Sequence, residues 1–369
     1  MRYENVIVGG GLAGGMVAQE YREQGGDGSV LIIAREAHVP YHRPPLTKGY
    51  LRGETPLDEV FMHPPEWWRE QKVDVQPGTE ATGIDSGART VTLASGDVVE
   101  YERLVLATGA TPRTLPGMSS IRTLDDSQAL AQRLDAGPGH LGVIGGGFIG
   151  VEAAASARMK GWDVTMAVPE DVVWEHLFGA EVAAYFQRQL EQHGVNVHTG
   201  TKELPAGNYD VKLAGIGVDP NTQLAQAAGF TVENGVHTDD HLRAADDIWA
   251  IGDIANYQSV IHGKRLRIEH WDVALNQGAY IGRTWAGRED GPYAVVPYFF
   301  SDIGDWTWFE YVGPGNGRVD VRGSMDADDF VAYYLDESDR VTACLGVNRS
   351  DDVEAAKALI TEHAAAPSA

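Results

Sequence analysis

The sequence predicts an α/β protein in which one supersecondary unit is used twice, followed by a small α+β segment. Two observations predict this. A strand, a glycine-rich loop, a helix, a glycine break and a second strand occur in that order at the N-terminus and again from residue 141; strands alternating with helical stretches read as parallel sheets. Beyond Pro297 the pattern changes to short strands and turns. The chain has 369 residues, 43% of them hydrophobic. That suffices for two or three cored domains of roughly 100–200 residues each.

Taken in order, 5–8 is the first strand, followed by a glycine loop and a helix over 13–24 that ends at Gly25-Gly26-Asp27-Gly28. A second apolar strand covers 29–33. A proline-rich loop runs from Pro40 to Pro45, and Pro64-Pro65 and Trp67-Trp68 lie in the next segment. The alternating stretch 88–93, the turn Gly96-Asp97 and the stretch 98–101 read as a hairpin, and 104–107 as a short buried strand. A fresh start at 116–140 leads to a strand at 141–144, the second glycine loop, an Ala-rich helix over 150–160 and a strand at 164–168. A helix over 180–193 and a strand at 195–198 follow. From about 240 come a strand at 248–251, Gly252-Asp253, and a helix over 272–285. The last part reads as strands at 306–312, 317–321, 330–335 and 340–347, a helix over 351–363, and an Ala/Pro/Ser tail. The expected domains are 1–115 with 240–296, then 116–239, then 297–369.

Net charge is −24. Such a surface repels a nucleic-acid backbone and an anionic membrane, so neither is an expected partner. Cys344 is the single cysteine. It allows no intramolecular disulfide, no Cys-x-x-Cys pair and no cysteine zinc site, and its apolar run 341–347 places it in a strand. No metal-ligand cluster is visible. The N-terminus enters a strand at once and does not read as a signal peptide. No apolar run approaches the roughly 20 residues of a membrane span. The expected location is the cytoplasm.

The first loop, Gly9-Gly10-Gly11-Leu12-Ala13-Gly14, satisfies G-x-G-x-x-G between a strand and a helix. In such a loop the first glycine makes the tight turn, the second admits a pyrophosphate, and the third allows close helix–strand packing. The helix N-terminus offers free N–H groups to the phosphates. Glu36 follows 22 residues after Gly14, where a carboxylate meets a ribose hydroxyl. The second loop, Gly145-Gly146-Gly147-Phe148-Ile149-Gly150, has the same context. Glu170 follows 20 residues after Gly150; a carboxylate there repels a 2′-phosphate and favours NADH over NADPH, although the residue that ends the strand is Val168. Two such loops imply two Rossmann-like dinucleotide sites, naturally a flavin and a nicotinamide dinucleotide.

Several segments resemble, in the right order, those of the FAD/NAD-dependent ferredoxin reductase family. Pro40-Tyr41-His42-Arg43-Pro44-Pro45-Leu46-Thr47-Lys48 resembles its flavin-contact segment, and Ala107-Thr108-Gly109-Ala110-Thr111-Pro112-Arg113 its second flavin motif. Gly215 to Asn221 resembles its loop near nicotinamide, and Ile248 to Asp253 its third flavin motif. Glu269-His270-Trp271 through Gln277-Gly278 resembles the segment beneath the flavin ring, and Pro297 to Asp302 the opening of its C-terminal domain. The resemblance spans almost the whole chain. It implies that 1–115 with 240–296 binds FAD and that 116–239 binds NAD(H). Implied FAD contacts are Arg35, Glu36, Arg43, Lys48, Ala81, Thr108, Gly109, Arg113, Asp253, His270, Trp271 and Phe300, beside the loop residues Gly9, Gly11, Leu12, Ala13 and Gly14. Implied NAD contacts are Gly147, Phe148, Ile149, Gly150, Glu170, His176, Gly217, Glu269, His270 and Glu310. His176 and Arg35 depart from the family's commonest residues. The segment 201–213 is short, so part of a β-meander is trimmed, and the last domain is short as well.

The resemblance also implies roles. Hydride would pass from nicotinamide to flavin. Lys48 would stand near the flavin N5 and favour negative charge on the reduced ring, with Glu152 facing Lys48 and holding it. Asp253 would accept a bond from a ribityl hydroxyl or cap a helix. The helix starting near Asp272 would direct its positive end at the flavin. Phe299, Phe300, Trp306 and Trp308 read as core more than as an electron path. The expected enzyme is an NADH-dependent oxidoreductase, monomeric or a homodimer. It would pass single electrons to a small [2Fe-2S] ferredoxin or rubredoxin that docks on a basic patch of Arg35, Arg43, Arg52 and Lys72. Two alternatives stand beside it: a redox sensor like apoptosis-inducing factor, and an NADH:quinone or oxygen oxidoreductase.

Overall fold

A computed structural model describes residues 1–315 and 317–367; the last two residues of the Ala/Pro/Ser tail lie outside the described residues. The chain divides into two compact units. Met1–Arg43, Leu57–Thr111 and Asp219–Val295 make the first, and Pro44–Pro56, Pro112–Val218 and Val296–Ala369 the second.

In the first unit the main path of the sheet runs, in spatial order, Arg243–Ala245, Ile248–Ala250, Val98–Leu106, Arg2–Val8, Val30–Ala34 and Val73–Pro77. Every pair after the first is parallel. Parallel strands are covered on both faces and so read as continuous apolar runs; Val30–Ala34 is buried at each position. Alternate residues serve the two faces. Ile7, Ile32, Val105 and Trp249 pack into one core cluster, and Val6, Val8, Leu31, Leu104 and Leu106 into another. On the first face, helix Leu12–Glu23 lies against helix Trp271–Trp285. A Cβ on Gly278 would stand 2.5 Å from the Ala13 carbonyl oxygen, so glycine permits this approach.

The stretches expected as separate strands at 98–101 and 104–107 form one strand, Val98–Leu106. Its start pairs antiparallel with Thr90–Leu93, and its length pairs parallel with Arg2–Val8. Glu100 and Glu102 interrupt the apolar signal, but their side chains are exposed, and ladder pairing needs only backbone.

In the second unit four parallel strands run in the order Val195–His198, Asp163–Ala167, His140–Ile144, Val211–Ala214. Helix Phe148–Met159 packs on them. The helix Leu124–Asp135 starts from a capping box: the Thr123 hydroxyl accepts from the Asp126 N–H, and the Asp126 carboxylate accepts from the Thr123 N–H. Residues 199–210 form no strand; Leu204 and Tyr209 lie over Gly142, where a Cβ would come within 2.6 Å of Leu204.

The same unit holds an antiparallel sheet in the order Tyr298–Ile303, Thr307–Val312, Val341–Val347, Asp329–Leu335, Arg318–Ser324, with helix Ser350–Thr361 against it. Its first strand was not expected as one, because Ser301 and Asp302 interrupt the apolar run. Phe148, Trp174, Phe178 and Phe186 meet Phe299, Phe309 and Tyr311 in one aromatic cluster. Trp308 stays out of it and is 39% exposed, against the expectation of core. It lies between the inward-facing Thr307 and Phe309, so strand alternation turns it outward. Cys344 is buried in its strand, and burial raises its thiol pKa far above the usual value.

Candidate nucleotide and redox site

The first glycine loop joins strand Arg2–Val8 to helix Leu12–Glu23. Gly9 has φ +127°, and a Cβ there would stand 2.0 Å from the Ala107 carbonyl oxygen; no L-residue fits. Gly14 packs its Cα face on Gly9, where a Cβ would lie 2.1 Å from the Gly9 oxygen. Gly11 is different: a Cβ on it meets nothing within 4 Å. It is the N-cap, no side chain caps the helix, and no acid stands in the first turn. The first N–H groups are therefore available to an anion. Leu12 and Ala13 are buried in that turn.

The second loop, before helix Phe148–Met159, repeats the arrangement. Gly145 has φ +101° with a Cβ 2.3 Å from the Gly215 oxygen, and Gly150 would stand 2.7 Å from the Gly145 oxygen. Gly147 is an exposed N-cap without a side-chain bond or a first-turn acid. Ile149 is 39% exposed, and Phe148 leans on Trp174 and Phe299. Both loops thus present an uncapped helix start beside a backbone cradle, which fits one pyrophosphate each.

In the first unit Glu36 follows the second strand. One of its oxygens accepts from Arg43 at 2.6 Å and the other from the Tyr41 hydroxyl. Arg35 is exposed and Ala81 half-buried at the start of its strand. The Thr108 hydroxyl donates to the Asn221 carbonyl at 2.7 Å, and the Gly109 carbonyl accepts from the Asn221 N–H at 2.9 Å. Asp253 lies in a 3₁₀ turn after strand Ile248–Ala250, and its charge acts on Arg43 and His270. Burial lowers His270 to about 4 against the pull of Asp253, so it is neutral at pH 7 and stands as N-cap of helix Trp271–Trp285. The Trp271 indole N–H donates to His42 Nδ1 at 3.1 Å. That nitrogen must carry a lone pair, in keeping with the lowering of the His42 pKa by burial and by His63. Glu269 turns to Arg267.

In the second unit Lys48 is buried among charges. Its Nζ lies 3.3 Å from Glu152 and 2.5 Å from Asp302, and 5.1 Å from the Phe300 ring centre. Glu152 also accepts from the Thr47 hydroxyl at 2.5 Å and the Ser301 hydroxyl at 2.6 Å. Burial alone would lower the lysine pKa, but the two carboxylates outweigh it and raise it. Arg113 donates its N–H to the Gly217 carbonyl at 2.9 Å. His176 Nδ1 stands 3.5 Å from Glu170, and Glu310 accepts from the Tyr298 hydroxyl at 2.6 Å. Asp302, Thr47 and Ser301 had no role assigned from sequence. Strand alternation was the available signal for Asp302, which shares a face with Phe300.

Two expectations change. Arg43 is paired with Glu36 and Arg52 with Glu54 at 2.7 Å, so the basic patch of Arg35, Arg43, Arg52 and Lys72 loses two of its charges. Asp239, Asp240 and His241 bring potential metal ligands within 4.8 Å of one another, although no such cluster was visible in sequence. Their atoms are used in a turn: Asp239 accepts from the His241 and Arg243 N–H groups, and Asp240 pairs with His241. Among the described residues no helix is long and apolar enough to cross a membrane.

The chain is 34% identical to putidaredoxin reductase CamA of Pseudomonas putida, over 97% of this chain and 91% of that protein. It is 34% identical to the ferredoxin–NAD(+) reductase component of the anthranilate 1,2-dioxygenase system of Burkholderia cepacia, over 96% and 93%. The crystal structure of the covalent putidaredoxin reductase–putidaredoxin complex superimposes with a TM-score of 0.91 at 33% identity, covering 98% of this chain and 93% of that one. Residues 3–278 match the model of one family, and with these likenesses the chain belongs to the pyridine nucleotide-disulphide oxidoreductases, as a member without a redox disulfide.

Proposed function

We propose that this protein oxidises NADH and passes the electrons singly to a small iron–sulfur carrier of the ferredoxin or rubredoxin kind. The observation that carries the reading is the repeated cradle: two uncapped helix starts, each behind a glycine turn, each followed by a carboxylate, Glu36 and Glu170. FAD, when bound, would supply a hydride acceptor and a one-electron donor in a single ring system. The likeness to reductases that serve such carriers supports the acceptor class.

The assignment follows the two loops. Residues 1–115 and 240–296 hold FAD, 116–239 holds NAD(H), and 297–369 form the C-terminal domain. The pairing of strand Ile248–Ala250 with Val98–Leu106 supports the first, discontinuous assignment. For FAD, the N–H groups at Gly11 to Gly14 bind the pyrophosphate, Glu36 takes a ribose hydroxyl and Asp253 the ribityl chain. Arg35, Arg43, Ala81, Thr108, Gly109, Arg113, His270, Trp271 and Phe300 complete the contacts. For NAD(H), Gly147, Phe148, Ile149 and Gly150 bind the pyrophosphate, Glu170 and His176 the adenosine ribose, and Gly217, Glu269, His270 and Glu310 the remainder. Lys48 stays protonated and favours negative charge on the reduced ring, and Glu152 holds it in place. The cytoplasm is the proposed location, in keeping with a single buried thiol.

The test is anaerobic reduction of the purified yellow protein with NADH, followed by a panel of acceptors. Rapid reoxidation by a [2Fe-2S] ferredoxin or a rubredoxin is expected. A persistent long-wavelength band with NADH-dependent dimerisation would replace this reading with the sensor one, and a colourless protein that refuses FAD would end both.

A further inference from the structure

Glu170 and His176 form a pair whose chemistry reaches beyond holding a ribose. Glu170 lies on the loop after strand Asp163–Ala167, and His176 on the short helix Glu175–Phe178. His176 Nδ1 stands 3.5 Å from one oxygen of Glu170, and the imidazole is 58% exposed. The other oxygen, Oε2, is buried and has no hydrogen-bond partner. A buried carboxylate oxygen without a donor is costly; the side chain as a whole keeps 30% exposure, and a ribose 2′-hydroxyl is the donor this loop position ordinarily receives on its accessible oxygen. With a neutral imidazole the carboxylate charge is uncompensated and repels a 2′-phosphate. With a protonated imidazole the pair is neutral overall, and it presents a cationic N–H donor to a phosphate.

We infer that His176 is a specificity-determining residue that makes the choice between NADH and NADPH depend on pH, NADPH being admitted as the imidazole takes up its proton. The inference rests on the assignment of Glu170 to the adenosine ribose. The other titratable groups on the surrounding segments are Asp171 beside Glu170, Glu175 on the helix of His176, Glu181 on the next helix, His198 at the end of strand Val195–His198 and Lys202 just beyond it. Three acids and one lysine leave that surround negative, which works against a 2′-phosphate, so its admission depends on the charge the imidazole carries. His198 is the other imidazole in that surround and needs its own control.

The experiment measures kcat/KM for NADH and NADPH on the holoenzyme, with ferricyanide as acceptor, from pH 5.5 to 8.5. Binding of 2′,5′-ADP and 5′-ADP is followed by calorimetry at both ends. The 2′-phosphate itself takes up a proton near pH 6, so the contrast with His176→Gln, in which only the phosphate titrates, isolates the imidazole. The preference for NADH should fall roughly fivefold more in the wild type than in His176→Gln across this range, the size of one partly exposed charge pair. His176→Arg should favour NADPH at every pH, and His198→Gln should keep the wild-type profile. Identical pH profiles for wild type and His176→Gln, or a profile lost in His198→Gln, would overturn the inference while NADH oxidation stands. Failure of Glu170→Ala to weaken 5′-ADP or NADH would instead remove the ribose assignment beneath it.

Discussion

Replacing Lys48 by methionine removes the one cation in a buried cluster and leaves Glu152 and Asp302 facing each other. Methionine keeps the side chain's length and its apolar stem, so the change is chiefly one of charge. Breaking a buried ion pair by removing one partner costs about 3–5 kcal/mol. The side chain of Glu152 is 8% exposed and that of Asp302 23%. Asp302 can regain water, which puts the expected loss at the low end, about 3 kcal/mol. For a unit of this size each kcal/mol moves the midpoint by about 2–4 °C, so the melting temperature should fall by roughly 6–12 °C. The pH dependence has a definite sign. In the wild type the lysine pKa is raised. Its contribution is complete below the unfolded lysine value of about 10.4 and is lost only as pH rises through the higher folded value. In Lys48→Met the two acids have lost their cation, and protonating either relieves the repulsion. The deficit should therefore be larger at pH 8 than at pH 5. Urea unfolding of both proteins in excess FAD at the two pH values measures it, with Lys48→Arg as the charge-preserving control. A deficit below about 1 kcal/mol at pH 8, or one that does not shrink at pH 5, refutes the picture of a charge cluster held by lysine.

Cys344, buried with its thiol pKa raised, should not react with a thiol reagent in the native protein and should react on unfolding in urea; native labelling at pH 8 would mean that the sheet opens. Glu36→Ala should weaken FAD retention by about tenfold, one charge-assisted hydrogen bond, read from flavin fluorescence on dilution, and unchanged retention would move the adenosine ribose elsewhere. Trp308→Ala should leave stability within about 0.5 kcal/mol, as for an ordinary surface position; a loss of 2 kcal/mol or more by urea unfolding would show that the tryptophan carries packing after all.

The fold was legible where backbone and side chains repeat one message. Apolar strands of the parallel sheets, glycines that turn and cradle, and helices with breaks at both ends gave boundaries within one or two residues for most of the elements expected, whereas strands Val73–Pro77 and Val211–Ala214 and helix Leu124–Asp135 were not expected. It was less legible where polar residues sit on a paired strand. Val98–Leu106 carries exposed glutamates that do not interrupt its ladder, and Tyr298–Ile303 carries Ser301 and Asp302 because those side chains serve the charge cluster. Strand pairing is a backbone property, and a hydrophobic pattern reports it only when nothing functional occupies the face.

The site shows the same division more sharply. The loops were readable because each is a local object: six consecutive residues in which Gly9 and Gly145 are demanded by a carbonyl at the end of a neighbouring strand, and Gly14 and Gly150 by a carbonyl of the loop itself. The Lys48 cluster is not local. Thr47 and Lys48 come from one segment, Glu152 from a helix a hundred residues later, and Ser301 and Asp302 from a strand a further hundred and fifty residues on. Nothing in any one segment says that a buried lysine will find two carboxylates there. Once the lysine is buried, however, the chemistry leaves little choice. An ammonium away from water requires a counter-charge, and a single glutamate whose oxygens already accept from two hydroxyls offers it a contact of 3.3 Å. The closer contact is to Asp302, at 2.5 Å. Asp302 is thus the nearer counter-ion of Lys48, and the family resemblance alone, which pointed only to Glu152, could not have supplied it.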